Sequence, residues 1–211
     1  MIGLSLLRKI FFIILAVFIV IFYISGVYST KNLDNLAYVI ALGLDVGTNN
    51  PLKLTVQLTK TASSSGSNES SSTNIVNSVE CSSIESGLNL FNSYISRRTN
   101  LSHCKVLVMS EELAASGISD YIYTLLECVS MSPHANVIIS KNQAEEFIKY
   151  STPVLESLTS NYYETVLSSS EYTGFTQNVT LIKFFNSYVD SFQEPVSILG
   201  RSKLRKIQCL K

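Results

Sequence analysis

The chain opens on an unbroken apolar stretch. From Ile10 to Tyr28 it reads IFFIILAVFIVIFYISGVY, without a charged residue, directly after Arg8 and Lys9. About 19 such residues at ~1.5 Å each come close to the ~30 Å hydrocarbon core of a bilayer. The run predicts an N-terminal transmembrane helix, an anchor over residues 1–30. Tyr23 and Tyr28 would sit at the interface, and the basic pair would hold the N-terminus in the cytoplasm. A cleaved signal peptide would carry a shorter apolar run and a small-x-small site, which Ile24-Ser25-Gly26 matches poorly. On either reading the rest of the chain is exported.

Beyond the anchor the pattern changes period. Leu36 to Val46, LAYVIALGLDV, reads as a buried strand closed by the turn cluster Gly47 to Pro51. In LKLTVQL, Leu52, Leu54, Val56 and Leu58 alternate with Lys53, Thr55 and Gln57, so the apolar set lies on one face of a second strand. The two runs make a β-hairpin. Thr61 to Thr73 is Ser-rich and predicts a loop tip, after which NIVNSVECS returns as a short strand. Ile84, Leu88, Phe91 and Ile95 then form a helical stripe, with Ser83, Glu85 and Ser86 as its start signal.

Cys104 to Ser110 is a compact apolar run that predicts a central strand. A short helix follows from Glu111 to Ser116 and stops at Gly117. Ser119 or Asp120 can cap a second helix carrying Ile122, Leu125, Leu126 and Val129, broken by Pro133. NVIIS is a further strand, Asn142 to Tyr150 a helix carrying Ala144, Phe147 and Ile148, and Leu155 to Leu167 and Thr180 to Phe192 are helical pieces. A hairpin followed by alternating strands and helices predicts an α/β (α+β) fold, a mixed β-sheet domain with helices packed against it. The chain shows no internal repeat.

Composition narrows the chemistry. With 211 residues there is room for the anchor and one ordinary domain, and sixteen basic against sixteen acidic residues leave no net charge. This is not the footprint of a nucleic-acid binder, so no nucleic acid is expected as a partner. Cys81, Cys104, Cys128 and Cys209 form no CxxC pair and no zinc-like spacing, and Cys104 and Cys128 sit in apolar surroundings as buried thiols. The histidines are His103 and His134, and there is no tryptophan.

Several residues invite a chemical reading, and each has a plainer one. His103 beside Cys104 suggests a nucleophile and base, but neighbours on a strand point to opposite faces. His134 after Pro133 reads as a solvated loop residue. Asp45 ends a strand between Gly43 and Gly47, with Asp34 and Glu80 elsewhere; such carboxylates most often cap turns through nearby backbone. GLDVG is not a dinucleotide fingerprint, and HExxH, GxSxG and a Walker loop are missing from the sequence. Glu111-Glu112 suits a helix start, and Arg97-Arg98 a solvated helix end. The sequons at Asn68, Asn100 and Asn178 are the chance product of a Ser/Asn-rich chain. No catalytic, cofactor-binding or metal site is assigned, and no cofactor is expected.

The order of segments resembles the N-terminal domain of the Ger(x)C family, the C subunit of spore germinant receptors. NLDNLAYVIALGLDVG (Asn32 to Gly47) opens the pattern and LKLTVQL continues it. The most specific block is SHCKVLVMSEELAASGI, Ser102 to Ile118, where Ser102, His103, Lys105, Ser110, Glu111, Ala114 and Gly117 stand at family positions. VIISKNQAEEFI and VTLIKFFNSYVDSFQEPV extend the likeness, which spans roughly residues 27–196. Three departures stand out. Family members usually carry a lipobox ending in Cys before a Trp-Asp pair, where this chain has Gly26-Val27-Tyr28-Ser29, so anchoring would fall to the helix. An Arg-Asp pair usually found after the second helix is replaced near Cys128-Val129. The family continues into further domains, whereas RSKLRKIQCLK is basic and unlike it, which suggests a truncated or split protein.

The resemblance implies a non-enzymatic, surface-exposed membrane subunit, lipoprotein-like in role, acting with integral-membrane A and B subunits in nutrient-induced spore germination. The expected organisation is an anchor over 1–30, a Ger(x)C-like extracytoplasmic domain over 31–198 and an atypical basic tail over 199–211. The alternative is an anchored extracytoplasmic binding module for a small molecule or wall polymer. A hydrolase built on carboxylates such as Asp45 is a third reading.

Overall fold

The computed structural model describes residues 2–27, 36–59, 74–129, 131–151, 158–169, 172, 174, 177–190 and 192–201; side chains within 2–27 are described for 8–22, and that of Cys128 is not described. The chain divides into two compact units, 1–35 and 36–211. The first holds helix α1, Ile2–Val27, 26 residues long. Its described side chains are all exposed. Among the described residues no helix is long and apolar enough to cross a membrane. The expected anchor is thus helical as far as Val27, and its crossing of a membrane is not shown.

The second unit is built on a seven-stranded mixed sheet. Its strands are β1 Leu36–Val46, β2 Leu52–Thr59, β3 Asn74–Cys81, β4 Arg98–Asn100, β5 Val106–Ser110, β6 Asn136–Ser140 and β7 Ile198–Gly200. The order is β3-β2-β1-β5-β6-β7, with β4 beside the start of β1. The β1–β2 and β2–β3 pairs are antiparallel; β1–β5, β5–β6, β6–β7 and β1–β4 are parallel. The predicted hairpin is present, with Leu44 opposite Leu54 and Asp45 opposite Lys53. Its turn requires glycine at 47, because a Cβ there would lie 2.1 Å from the carbonyl oxygen of Asn50.

Helices cover both faces. On one, Leu42, Leu44, Leu107, Met109 and Val137 pack with Ile84, Leu88 and Phe91 of α2 (Ile84–Tyr94), Leu113 of α3 (Glu111–Ser116) and Leu181 and Phe184 of α7 (Leu181–Val189). Ile122 of α4 (Ser119–Tyr123) and Leu125 join the same cluster. On the other face, Ala41, Val106, Val108 and Ile138 pack with Ala144 and Ile148 of α5 (Ala144–Tyr150) and with Tyr163 and Leu167 of α6 (Thr159–Ser168). Successive residues of β1 and β5 thus enter opposite cores, which is why these strands read as continuous apolar runs. Gly43 lets α5 approach β1: a Cβ there would meet Ile148 Cδ1 at 2.9 Å.

Local signals explain most boundaries. Ser83 and Ser86 form a reciprocal capping box at the start of α2, and Ile95 leaves the helix as its extended C-cap. Gly117, at φ 111°, ends α3 in a conformation L side chains rarely adopt. Other expectations need correction. Neither Ser119 nor Asp120 caps α4; the N-cap is Ile118, with no side-chain hydrogen bond. The predicted single helix becomes a short α-helix followed by a π-helical stretch, Thr124–Cys128, closed by Val129 N–H to the Thr124 carbonyl at 3.1 Å. The strand expected from Cys104 begins at Val106, and the helices near 142, 155 and 180 begin at Ala144, Thr159 and Leu181. Strands β4 and β7 were not foreseen, and β7 draws Leu199 and Gly200, read as tail, into the sheet. The Ser-rich stretch 61–73 and the basic end 202–211 lie outside the described residues.

Phe91 is fully buried, whereas Tyr94 one turn on is 56% exposed. Phe91→Ala is therefore expected to cost about 3–5 kcal/mol of stability, and Tyr94→Ala much less, read as the shift in urea midpoint of the detergent-solubilised chain.

Candidate functional site

At the carboxyl ends of β1, β5 and β6 lies a crevice of about 240 Å³ lined by Asp45, Ser110, Glu111, Glu112, Lys141 and Gln143 among others. Ligands commonly bind at this end of an open parallel sheet. Here Asp45 fills a structural role. It is 1% exposed, and its Oδ1 accepts the Ala144 N–H at 2.6 Å while Oδ2 accepts the Glu145 N–H at 3.0 Å. The carboxylate caps the first turn of α5 from 99 residues away, rather than a turn of its own. Burial pushes its pKa up, against the pull of the two N–H bonds and of Lys53. With both oxygens held, it is not poised to take a proton from a substrate.

Around Asp45 the charges are paired. Glu145 forms ion pairs with Lys53 and, at 2.6 Å, with Lys149. Burial opposes its ionisation, but hydrogen bonds from Lys149, Lys53 and Ser78 prevail and bring its pKa down to about 2. Glu80 accepts the N–H groups of Asn49 at 3.0 Å and Thr48 at 3.1 Å, which lower its pKa and fix the hairpin turn. Glu111 and Glu112 are exposed in the first turn of α3, where Ser110 Oγ accepts the Leu113 N–H at 3.3 Å.

The opposite end of the sheet carries a larger cleft, about 460 Å³, at the amino ends of β5 and β6. Both histidines line it. His103 lies in the turn before β5, its ring edge-on to Tyr38 at 5.1 Å. His134 lies in the loop before β6. Two backbone links bring these segments together: Asn136 N–H donates to the Lys105 carbonyl at 2.8 Å, and Ser132 N–H to the Leu101 carbonyl at 3.2 Å. Lys105 pairs across the rim with Glu164 of α6 at 3.0 Å. Asn136 also lines the cleft, and its Oδ1 is buried without a hydrogen-bond partner. Hydroxyls of Ser132, Ser168 and Thr180 complete the polar wall.

The Cys104 thiol is not activated here. It is 1% exposed and donates toward the carbonyls of Ile40 (3.4 Å) and Val106 (3.3 Å). Burial pushes its pKa up to about 12, and a thiol so held is not a nucleophile. His103 and Cys104 precede the strand instead of lying on it, yet their side chains still part, imidazole exposed and thiol in the core.

Among the other residues singled out, Cys81 is buried and free, like Cys104. Arg98 belongs to β4 and Arg97 is exposed just before it, so neither ends a helix. Asn100 Oδ1 accepts the Ser102 N–H at 2.8 Å, and Asn178 is exposed at the cleft. Asp34, Asn68, Cys209 and the side chain of Cys128 lie outside the described residues. Among the described residues no three His, Cys, Asp or Glu side chains are placed to hold a metal ion. Sequence reasoning missed the meeting of His103 with His134, because it depends on β5 and β6 being neighbours.

A family model described as the spore germination protein N-terminal domain matches residues 29–199. No characterised protein sequence and no solved structure matches the chain.

The charge cluster predicts opposite acid responses. Glu145 has its pKa lowered from 4.5 to about 2, so its ionised form favours the fold; that contribution is complete above pH 4.5 and is lost as pH falls toward 2. Asp45, raised by burial, is protonated more readily in the folded chain, and acid relieves its penalty. Glu145→Gln is expected to flatten the fall in urea midpoint below pH 4.5. Asp45→Ala, which leaves two helix N–H groups without an acceptor, is expected to cost about 1–3 kcal/mol at neutral pH.

Proposed function

The chain belongs to the family of spore germination protein N-terminal domains, and from this we infer that it is a non-enzymatic, membrane-anchored subunit of a spore germinant receptor. Its role is in spore germination. In this reading it works with integral-membrane A and B subunits to couple a nutrient signal to germination. The family match over residues 29–199 carries the inference.

The anchor in this reading is α1. Its support is the uncharged sequence run Ile10 to Tyr28, about 19 residues at ~1.5 Å each, since among the described residues no helix is itself long and apolar enough to cross. Arg8 and Lys9 are the only charged residues of α1, and Phe11, Ile14, Phe18 and Phe22 are exposed around it. A helix apolar on every side is poorly suited to water and well suited to lipid. The basic pair near the N-terminus favours that end in the cytoplasm and the sheet domain outside. A spanning helix supplies stable anchoring without the lipid that a lipobox cysteine would carry. A non-enzymatic role is supported by the committed oxygens of Asp45 and the buried, protonated thiol of Cys104. A second reading, an anchored binding module for a small molecule or wall polymer, is favoured by the polar cleft between His103 and His134.

Spores whose only copy of this chain lacks residues 2–30 are expected to answer nutrient no faster than spores without the chain, with the truncated protein lost from the membrane fraction. Normal germination from the truncated copy would overturn the anchored-subunit reading. Co-purification of the full chain with A and B subunits from detergent-solubilised spore membranes is the expected companion result. Its failure, with germination still dependent on the chain, would favour the binding module.

A further inference from the structure

One stretch of the surface is basic and apolar at once. From Ser86 to Ser110 the chain holds no acidic residue, although acids and bases balance over its whole length. Arg97, Arg98 and Lys105 are the cations of that stretch. Lys105 is paired with Glu164, whereas among the described residues no ion pair holds Arg97 or Arg98, both of them exposed. Just before them, in the last turns of α2, Leu90 and Tyr94 have 43% and 56% of their surface exposed. Residues four apart share a helix face, so the two form one apolar edge, and the Tyr94 ring leans on buried Phe91 at 5.6 Å. The segment is held in place: Asn92 Oδ1 accepts both the N–H and the hydroxyl of Thr99 at 2.8 Å, which ties β4 back to α2.

A cationic pair past a helix end is explained by the helix dipole alone. Two large exposed apolar side chains beside it are not. Together they have the composition of a contact with an anionic bilayer surface. The leucine enters the acyl boundary, the phenol stays at headgroup level and the guanidinium groups meet phosphate oxygens. Position in the chain is an independent argument. Arg98 lies opposite Leu36, the first residue of β1, and residues 28–35 alone separate Leu36 from the end of α1. So short a tether reaches at most about 30 Å. With α1 in a bilayer, the strand end beside Arg98 is therefore kept near the headgroups. We propose that the face formed by Leu90, Tyr94, Arg97 and Arg98 docks on an anionic bilayer, giving the sheet domain a lipid contact of its own. The proposal rests on the membrane-anchored reading of α1.

The chain has no tryptophan, so Tyr94→Trp installs a single fluorescent reporter at an exposed position. The full chain carrying it is reconstituted into vesicles of phosphatidylcholine alone or mixed with phosphatidylglycerol, with brominated lipid as quencher. Emission is expected to shift to the blue and to be quenched in the anionic vesicles, and to do neither in the neutral ones. Arg97→Gln with Arg98→Gln is expected to weaken docking about 25-fold, a factor of about five per arginine, and to return the emission to its neutral-lipid level. Tyr188→Trp, at a position of α7 that is 43% exposed, is expected to stay unquenched in both lipids. In the unsubstituted chain, amide hydrogen exchange over residues 90–98 is expected to be slower in anionic than in neutral vesicles. A reporter at position 94 left unquenched, in a chain that floats with the vesicles, would overturn the proposal and leave the anchor standing. So would equal quenching in neutral lipid, in the double arginine variant or at position 188, which would mark non-specific adsorption. A chain that floats with neither lipid would overturn the anchored reading and this proposal with it.

Discussion

Strands β1 and β5 are buried on both faces, and this constraint fixes much else in the domain. Val106, Leu107, Val108 and Met109 are all fully buried although alternate members enter different cores. A strand of this kind cannot lie at a sheet edge or face water, so helices must cover both sides. The crossovers provide them: α2, α3, α4 and α7 on one face, α5 and α6 on the other. Close helix approach then becomes a requirement on single residues, as at Gly43, where a side chain would meet both Ile148 and Thr55.

The second helix layer is attached differently from the first. Over β1, β5 and β6 it packs through Ala144, Ile148 and Leu167, whereas over β2 and β3 polar contacts join the packing of Val76. Tyr163 donates its hydroxyl to Gln57 at 3.2 Å, Thr55 and Ser78 share a hydroxyl bond at 3.0 Å, Lys53 pairs with Glu145, and the Asn74 amide donates to Thr159. Thr59 Oγ1 and Asn74 Oδ1 remain buried without partners in this seam. Satisfied polar contacts of this kind fix register more than they add stability, and the unpartnered atoms subtract from it. Asp45 then acts as the pin, since one buried carboxylate ties the first turn of α5 to the end of the central strand.

How much of this was legible in the sequence follows the range of the interactions involved. Leu36–Val46, the Leu52–Leu58 alternation, the Ser83 cap and the stop at Gly117 are encoded within a few residues of themselves, and they appear as read. The helix capped at Ile118 does not, because its start lacks any side-chain bond and tertiary packing of Ile122 and Leu125 holds it instead. β4 and β7 span three residues each, too few for a period to show. Gln57 and Thr55 look like solvent-facing members of an alternating strand; Gln57 is buried by Tyr163 arriving from 106 residues on, and Thr55 shares its hydroxyl with Ser78 of β3. The resemblance quoted on Ser102 to Ile118 supplied the family, which no single local pattern could have done.

The same reasoning explains why the candidate site lies at the less usual end of the sheet. At the carboxyl ends the strands deliver Asp45 and its ion-paired neighbours, and the N–H groups that could have met a ligand are already bonded to protein. At the amino ends β5 and β6 begin side by side, and the loops before them carry His103, Lys105 and His134 into one wall with Asn136, the first residue of β6. There Lys105 and Glu164 form an exposed ion pair; the Asn136 Oδ1 is buried without a partner, as is the Ser140 Oγ at the other end of β6. A buried polar atom left open costs stability at every moment that nothing fills it. A fold that commits the Asp45 carboxylate to two N–H groups at one end of the sheet leaves an exposed ion pair and both histidines together at the other.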